Sequence, residues 1–391
     1  MTPDPLHYAL PDPMPWSALA GPLARAEDAL ARLDERLRAS PVREGWIART
    51  HFSESCAALW LEGELVHLED LVLHDVGMDV RAPTHALIRA HAILRARRRI
   101  SAERPGWALS SAGLAALRGE ADVGAGKDEG RAAGQRSSGA ATGSARNDEP
   151  DDDDFDDARI ADEAANLPDA NLAWEFATFD ALIARSQRVL DRQLAASLRP
   201  RDPLVYDLDW NEQERLQAWR IARDQARDLP PLLGSALLWE AWARIAPLQH
   251  RPWLGNLLVA AHLREAQKTK AHLVCLNAGL RLVSRQRRRA EDRTGRLIVW
   301  CDGVAATSEA GMKDHDRWLL TRRQLERKLV GRRSTSHLAA LIDLVLAHPI
   351  ANANLIAREL GVTPRAAQNL VAELGLREAT GRGRYRAWGI L

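Results

Sequence analysis

Near the C-terminus, three polar residues have types and spacing that suit contact with DNA bases. Gln368 and Asn369 follow Arg365 by three and four positions, so the three residues share one face of an α-helix. In the major groove an arginine side chain suits guanine, and an asparagine or glutamine side chain suits adenine. Thr363 and Pro364 precede them and favour a helix start, since threonine caps the first turn and proline needs no N–H bond there. We predict that Thr363, Arg365, Gln368 and Asn369 contact DNA.

A basic hairpin is predicted directly after this helix. Residues 376–380 and 385–390 can pair as strands around a turn that contains Gly381 and Gly383. Arg382, Arg384 and Arg386 follow at every second position, so they project from one face of the ribbon. We expect these arginines to contact phosphates or a minor groove, as the wing of a DNA-binding module does.

The elements before the recognition helix complete a winged helix-turn-helix. An apolar stripe from residue 338 to 346 predicts one helix that stops before Pro349. A short helix at 354–360 ends at Gly361, where a left-handed turn is favoured. The helix, the glycine turn, the threonine-proline cap and the hairpin thus follow one another in the order of a winged helix-turn-helix. This order predicts a DNA-binding domain over 334–391. The alternative is a degenerate module of the same fold that serves protein contacts.

The rest of the chain is predicted to be mainly α. Apolar residues recur at three- and four-residue steps, and few β-branched runs separate them. The predicted helices cover residues 16–37, 45–75, 84–98, 172–198, 212–227, 232–244, 255–267, 271–289 and 314–329. We divide this body into an N-terminal helical region at 1–118 and a helical core at 158–333.

Charge is segregated along the chain, although the net charge is only +1. Residues 119–157 are rich in Gly, Ser, Ala and Asp and carry many more acids than bases, which predicts a disordered acidic linker that acts as a solvated spacer. Residues 264–333 are strongly basic and include the run Arg285 to Arg289. That run is expected either to contact the DNA backbone or to end a helix whose C-terminal dipole favours cations.

The C-terminal module also resembles that of bacterial Fic-family proteins. The stretch LIARELGVTPRAAQNLVAELGLREATGRGRYRAW is similar to the winged helix of that family, and LWLEGELVHLED from Leu59 resembles its N-terminal helices. In the stretch HRPWLGNLLVAAHLR, His250, Gly255 and Asn256 fall at the spacing of the Fic catalytic loop. The resemblance implies a Fic-like helical body for this chain.

The same stretch departs from the Fic pattern where chemistry is needed. Leu254 stands at the position of the metal-binding acid, and Leu257 and Leu258 replace a glycine and the phosphate-binding arginine. A leucine can neither bind Mg²⁺ nor offset phosphate charge. We therefore predict a degenerate Fic-like scaffold with no catalytic residue, cofactor or metal. The alternative is a divergent nucleotidyl transferase that uses His250 and Asn256 on a protein hydroxyl.

Composition and the remaining sequence features favour a cytoplasmic regulator. Apolar residues make up 46% of the chain, and the three cysteines, Cys56, Cys275 and Cys301, are isolated in sequence. No signal peptide or membrane-spanning stretch is expected. As a whole the chain resembles an uncharacterised bacterial family with a C-terminal helix-turn-helix. The predicted function is sequence-specific binding of duplex DNA, with a homodimer expected on paired half-sites, and a protein-interaction adaptor is the third alternative.

Overall fold

The computed structural model describes residues 6–77, 82–119, 210–329, 337–379 and 386–390. Apart from Gly119, the predicted acidic linker at 119–157 lies outside these residues. The predicted helix at 172–198 and the rest of the region up to residue 209 lie outside them too. The turn of the predicted hairpin, with Arg382 and Arg384, is likewise not among the described residues.

The described part of the chain is mainly helical and ends in a small sheet, which confirms the predicted fold class. Two 3₁₀ turns, Trp107–Leu109 and Arg327–Leu329, join some of the elements. The helices are α1 Trp16–Arg38, α2 Arg43–Leu61, α3 Leu68–Asp75, α4 His85–Ala102, α5 Ser111–Leu117, α6 Glu212–Gln225, α7 Pro231–Ile245, α8 Leu254–Glu265, α9 Leu276–Leu282, α10 Arg285–Arg288, α11 Arg293–Glu326, α12 Leu338–Ala347, α13 Ala353–Leu360 and α14 Pro364–Leu374. The strands are β1 Ala351–Asn352, β2 Arg377–Glu378 and β3 Ala387–Gly389.

The centre of the body is formed by α7 and α8, which are apolar on nearly every face. Leu232, Leu233 and Leu237 of α7 are fully buried, as are Leu257 and Leu258 of α8. A helix that is apolar all round is stable only when other elements surround it. The long helix α11 lies beside this centre and packs most extensively against α1 and α9.

Three of the predicted helices are either divided in the structure or form part of a longer helix. The predicted helix at 45–75 is interrupted, because Gly63 takes a left-handed conformation (φ +89°) after α2 ends at Leu61. The predicted helix at 271–289 starts only at Leu276 and ends at Leu282, and Ser284 caps a new four-residue helix, α10. The predicted helix at 314–329 is the C-terminal part of α11, which begins at Arg293 behind an Asp292 cap.

The sheet contains one strand more than the sequence indicates. The predicted pairing of the last two strands is present, with Arg377 opposite Gly389 and Glu378 opposite Trp388 in antiparallel register. The additional strand β1, just before α13, pairs with the other side of β3, so the order is β1-β3-β2. A two-residue strand is too short to show an alternating pattern, which explains why it was missed.

The described helices before residue 118 and the described chain after residue 209 form one compact unit. One apolar cluster joins Leu37 and Trp46 of the N-terminal helices, Trp318 of α11 and Leu341 and Val371 of the C-terminal module. The module therefore shares a core with the body instead of standing on a separate core of its own.

Candidate nucleic-acid interface

Two side-chain caps and two left-handed glycines shape the helix-turn-helix. Asn352 Oδ1 accepts a hydrogen bond from the N–H of Leu355 (2.6 Å) and so caps α13. That helix ends at Gly361 (φ +65°), as predicted. Thr363 Oγ1 then accepts from the N–H of Ala366 (3.2 Å) and caps α14, which ends at Gly375 (φ +64°). Because a left-handed residue without a Cβ costs little, the chain reverses sharply between the two helices.

The recognition helix α14 has one buried and one exposed face. Ala367, Val371 and Leu374 are buried in the module core. Arg365, Gln368, Asn369 and the cap residue Thr363 are all exposed. At about 100° per residue, positions 365, 368 and 369 fall within roughly one third of the helix circumference.

Arg365 is exposed and carries a positive charge. Among the described residues it has no ion-pair partner, whereas Arg358 on the preceding helix lies 3.3 Å from Glu359. Arg365, Gln368 and Asn369 form one polar surface in the first turns of α14, which we call the α14 polar face. Its hydrogen-bonding groups are open to a ligand, and its one formal charge is positive.

Arg386, the one predicted wing arginine among the described residues, has a carboxylate partner. Its Nε donates to Glu378 Oε2 (2.9 Å) on the neighbouring strand, and its guanidinium lies 5.8 Å from the Trp388 ring centroid. The side chain is exposed, so the ion pair is solvated and weak. The cross-strand partner was not predicted, since Glu378 becomes a neighbour only through strand register. A phosphate would have to compete with Glu378 for this arginine.

Arg49 of α2 fastens the C-terminal module to the body. Its Nε donates to the carbonyl of Leu346 (2.8 Å), and one of its terminal nitrogens donates to the carbonyl of Val345 (2.8 Å). Further hydrogen bonds reach the carbonyls of His348 (3.4 Å) and Ile390 (3.2 Å). These groups include the last carbonyls of α12, which have no partner within the helix and favour a cation.

The surroundings of Arg49 hold its guanidinium in place. The group lies over the Trp318 ring, 4.1 Å from the centroid. Burial, together with the nearby Arg317, lowers the pKa of Arg49 to about 10, so it remains charged at neutral pH. This role could not be predicted from the sequence, because Arg49 is one of many arginines on amphipathic helices.

Lys328 makes a second attachment, at the far end of the recognition helix. Its Nζ donates to the carbonyl of Leu374 (2.6 Å), the last residue of α14. The α14 polar face lies toward the opposite end of the same helix. The body therefore touches the C-terminal end of α14 and leaves its N-terminal end exposed.

The stretch that resembles a Fic loop is part of the packed body. Gly255 lies in α8, where a Cβ would approach Cδ1 of Trp242 to 2.3 Å, so the glycine provides space for the indole ring. The side-chain amide of Asn256 donates to Asn277 Oδ1, and Leu254 is fully buried. His250 is exposed. Packing accounts for Gly255 and Asn256, and the Fic-like resemblance stays a prediction.

The remaining chemistry-bearing residues form no centre within the described ranges. No group of three or more His, Cys, Asp or Glu side chains there is placed to hold a metal ion. The three cysteines are free and buried, and burial raises the pKa of Cys56 and Cys275 to about 11 and that of Cys301 to about 12. No helix of this part of the chain has the length and apolar character needed to cross a bilayer.

Comparisons with known proteins match two segments of the chain and one relative over almost its full length. Residues 204–330 match a family described as a protein of unknown function (DUF1612), and residues 338–391 match a family described as an HTH DNA binding domain. The uncharacterized protein y4cF of Sinorhizobium fredii (strain NBRC 101917 / NGR234) is 45% identical over 383 residues, which cover 96% of this chain and 97% of the relative. The predicted C-terminal helix-turn-helix is thereby confirmed.

Proposed function

This chain belongs to the family of the uncharacterized protein y4cF of Sinorhizobium fredii, and on that premise we propose that it is a sequence-specific duplex-DNA-binding protein that acts as a transcriptional regulator. The observation that carries the proposal is the α14 polar face. Arg365, Gln368 and Asn369 are exposed near the N-terminal end of the second helix of a helix-turn-helix, the part that meets base edges in the major groove.

The small sheet beside α14 acts in this proposal as a wing. Arg386, with Arg382 and Arg384 of the predicted hairpin, would contact the DNA backbone and set the register of the recognition helix. Thr363 keeps its cap bond to Ala366 while its hydroxyl hydrogen is free to donate to a phosphate. These contacts position the protein, and the α14 polar face supplies the sequence preference.

A homodimer and a cytoplasmic location complete the proposal. One short recognition helix gives limited affinity, and two half-sites bound by a symmetric dimer supply the remainder. Light scattering with and without target DNA tests the dimer, and a monomer under both conditions would rule it out. A regulator of this kind works where bacterial DNA is accessible, which is the cytoplasm.

The experiment compares three forms of the full chain on duplex DNA. The first is the wild type, and the second carries Arg365→Ala, Gln368→Ala and Asn369→Ala. The third is a matched control on α6 with Arg220→Ala, Gln213→Ala and Gln217→Ala, which removes the same charge and the same two amides. Each form is titrated against the fragment upstream of its own gene, and each is used to select ligands from a random duplex pool.

We expect the wild type and the control to enrich the same motif and the α14 variant to enrich none. Loss of two or three base contacts should weaken specific binding by at least about 30-fold, since each good contact contributes about 1–3 kcal/mol of discrimination. Because both variants lose one positive charge, a difference in motif enrichment between them reflects the positions of the substituted side chains and not the net charge. If the wild type enriches no motif, or if the α14 variant enriches the same motif as the wild type, the proposed function is wrong.

A further inference from the structure

A second basic surface lies on the body, away from the helix-turn-helix. It comprises the five arginines between residues 281 and 289, which we call the arginine patch: Arg281, Arg285, Arg287, Arg288 and Arg289. Four of the five are exposed and Arg288 is half-buried. Leu282, between them, is 58% exposed, whereas its neighbour Val283 is buried, so the segment lies at the surface of the body with Val283 packed against it.

Only one member of the arginine patch has a carboxylate partner within the described residues. Arg287 pairs with Asp302 of α11, a carboxylate that also faces Arg25 at 3.6 Å. Arg285 and Arg289 have no ion pair there. The nearby Asp292 carboxylate caps α11 through the N–H of Gly295 (2.7 Å), and Glu291 is exposed. Positive charge therefore exceeds negative charge on this surface.

Helix electrostatics do not explain why the arginines are there. If residues 271–289 formed a single helix, its C-terminal dipole would favour cations in the last turn. In the structure that helix ends at Leu282, so the dipole of α9 favours Arg281 in its last turn but does not reach Arg285 and Arg289, which lie beyond its end. The dipole of α9 therefore leaves Arg285 and Arg289 unexplained, and a ligand that needs their charge is the better explanation.

Trp60 arranges two of the arginines for anion binding. The guanidinium of Arg288 lies 4.7 Å from the Trp60 ring centroid, and that of Arg281 lies 5.2 Å from it. Arg288 Nε also donates to the carbonyl of Val283 (3.1 Å). An arginine stacked on an aromatic ring has already lost much of its side-chain freedom, so it loses less entropy when it binds a phosphate.

Two helices hold the arginine patch and the helix-turn-helix at a fixed spacing. On α2, Arg49 contacts the module and Trp60 contacts the patch, and eleven steps at about 1.5 Å each separate them by about 16 Å. On α11, Trp318 contacts the module and Asp302 contacts the patch. These two residues are sixteen positions apart, which corresponds to about 24 Å along the helix. These lengths join the arginine patch to the places where the module contacts the body, and both are shorter than one turn of duplex DNA, which is about 34 Å.

We propose that the arginine patch is an auxiliary binding site for the phosphate backbone of duplex DNA flanking the sequence bound by the helix-turn-helix. The inference rests on the proposed function for its choice of polyanion. The patch adds affinity without sequence preference, because its guanidinium groups meet phosphates and no base edges. Anionic lipid is the competing source of phosphate, and the test below separates the two.

The test uses duplexes that extend the enriched motif by about ten base pairs on one side or the other. The variant Arg285→Ala with Arg289→Ala is compared with the wild type and with a matched control, Arg95→Ala with Arg104→Ala, which removes the same charge from other exposed sites. We expect one extension to tighten binding by the wild type and the control about 3- to 10-fold, with no gain for the patch variant. We also expect the slope of log affinity against log salt to fall by about 1–2 in the patch variant, since each phosphate contact contributes about 0.9.

The results can contradict the role of the arginine patch and the proposed function independently of each other. If the patch variant gains from flanking DNA as the wild type does, or if its salt slope equals that of the control, the arginine patch does not bind DNA, whatever the motif result. If the wild type enriches no motif, the same salt slopes are measured on a random-sequence duplex. Loss of binding to phosphatidylserine vesicles with unchanged DNA slopes would assign the patch to lipid and overturn the proposal.

Discussion

Buried charged side chains hold the N-terminal helices against one irregular segment of the later chain. Asp34 accepts hydrogen bonds from the N–H groups of Lys270 (3.0 Å) and Ala271 (2.8 Å) and lies 3.0 Å from His272 Nδ1. Glu54 accepts from the N–H groups of two successive residues at the start of α9, and Arg97 donates to two carbonyls just before it. Side chains thus satisfy backbone groups that neither a helix nor a sheet satisfies.

The pKa values of these carboxyl groups depend on how burial and hydrogen bonding balance. Burial alone would raise the pKa of Asp34, but the hydrogen bonds from His272, Ala271 and Lys270 outweigh burial and hold it below its usual value. For Glu54, burial dominates and raises the pKa despite the donors around it. The two groups therefore respond in opposite directions to the same type of environment.

His51 makes the folded state sensitive to mild acid. Burial, with Arg97 and Arg98 nearby, lowers its pKa from 6.5 to about 3, so the folded protein keeps it neutral where the unfolded chain protonates it. Its contribution to stability is complete above pH 6.5 and is lost as the pH falls toward 3. Between pH 7.5 and pH 5 the loss should be about 2 kcal/mol. The His51→Leu variant should lack this part of the acid destabilisation when urea unfolding is measured at both pH values.

The control for this prediction is His85→Leu, which changes an exposed histidine at the start of α4. It should keep the pH dependence of the wild type. If His51→Leu loses as much stability on acidification as the wild type does, other groups are responsible, such as buried His272, whose pKa is also lowered by burial.

At the scale of elements, a glycine allows two helices to approach closely. Gly45 of α2 packs against α12, and a Cβ at this position would come within 2.8 Å of the carbonyl oxygen of Leu346. Backbone cannot move aside as a flexible side chain can, so Gly45→Ala should force α12 away from α2. We expect a loss of about 1–3 kcal/mol in the free energy of unfolding, measured by urea denaturation.

Gly21→Ala is the matched control, because Gly21 is also inside a helix. A Cβ there would lie 3.7 Å from the side chain of Arg25, an ordinary contact. Alanine is the better helix former, so this change should stabilise the protein by up to about 1 kcal/mol. If the two substitutions change the free energy of unfolding equally, the contact with Leu346 does not account for the effect of Gly45→Ala.

The elements that could be predicted from the sequence are those with a local signal. The Thr363 cap, the Gly361 turn and the apolar stripe of α14 each depend on neighbouring residues, and each is present. The first half of α11 had no such signal, since residues as different as Trp300, Thr307 and Ser308 are buried along it. A helix enclosed on several sides does not show a single apolar stripe.

The candidate site was predictable for the same reason, and its surroundings were not. Exposure of Arg365, Gln368 and Asn369 follows from the helix period alone. The Glu378 partner of Arg386, the attachment of α12 by Arg49 and the stacking of Arg288 on Trp60 depend on contacts between residues far apart in the chain or on strand register. No spacing in the sequence encodes such contacts.

At the scale of the molecule, the shared core and Arg49 make the DNA-binding module part of the body. A module on a flexible tether would orient freely, whereas this one has its first helix packed on α2 and α11. A change in the body that moves either helix would therefore move the recognition helix as well. This arrangement suits a regulator whose body senses a signal, because no separate linker has to transmit it.

Arg49→Met tests this coupling directly. Methionine retains an unbranched stem beside Trp318 but leaves the carbonyls of Val345, Leu346 and Ile390 without their donor. We expect the attachment to weaken by about 2–4 kcal/mol, so that α12, α13 and α14 open independently of the body. Hydrogen exchange should then become faster in those three helices and remain unchanged in α7 and α8.

Arg32→Met, which removes an exposed arginine paired with Asp28, is the control and should change hydrogen exchange in neither region. Equal protection of α12 in Arg49→Met and wild type would mean that the apolar cluster alone holds the module in place.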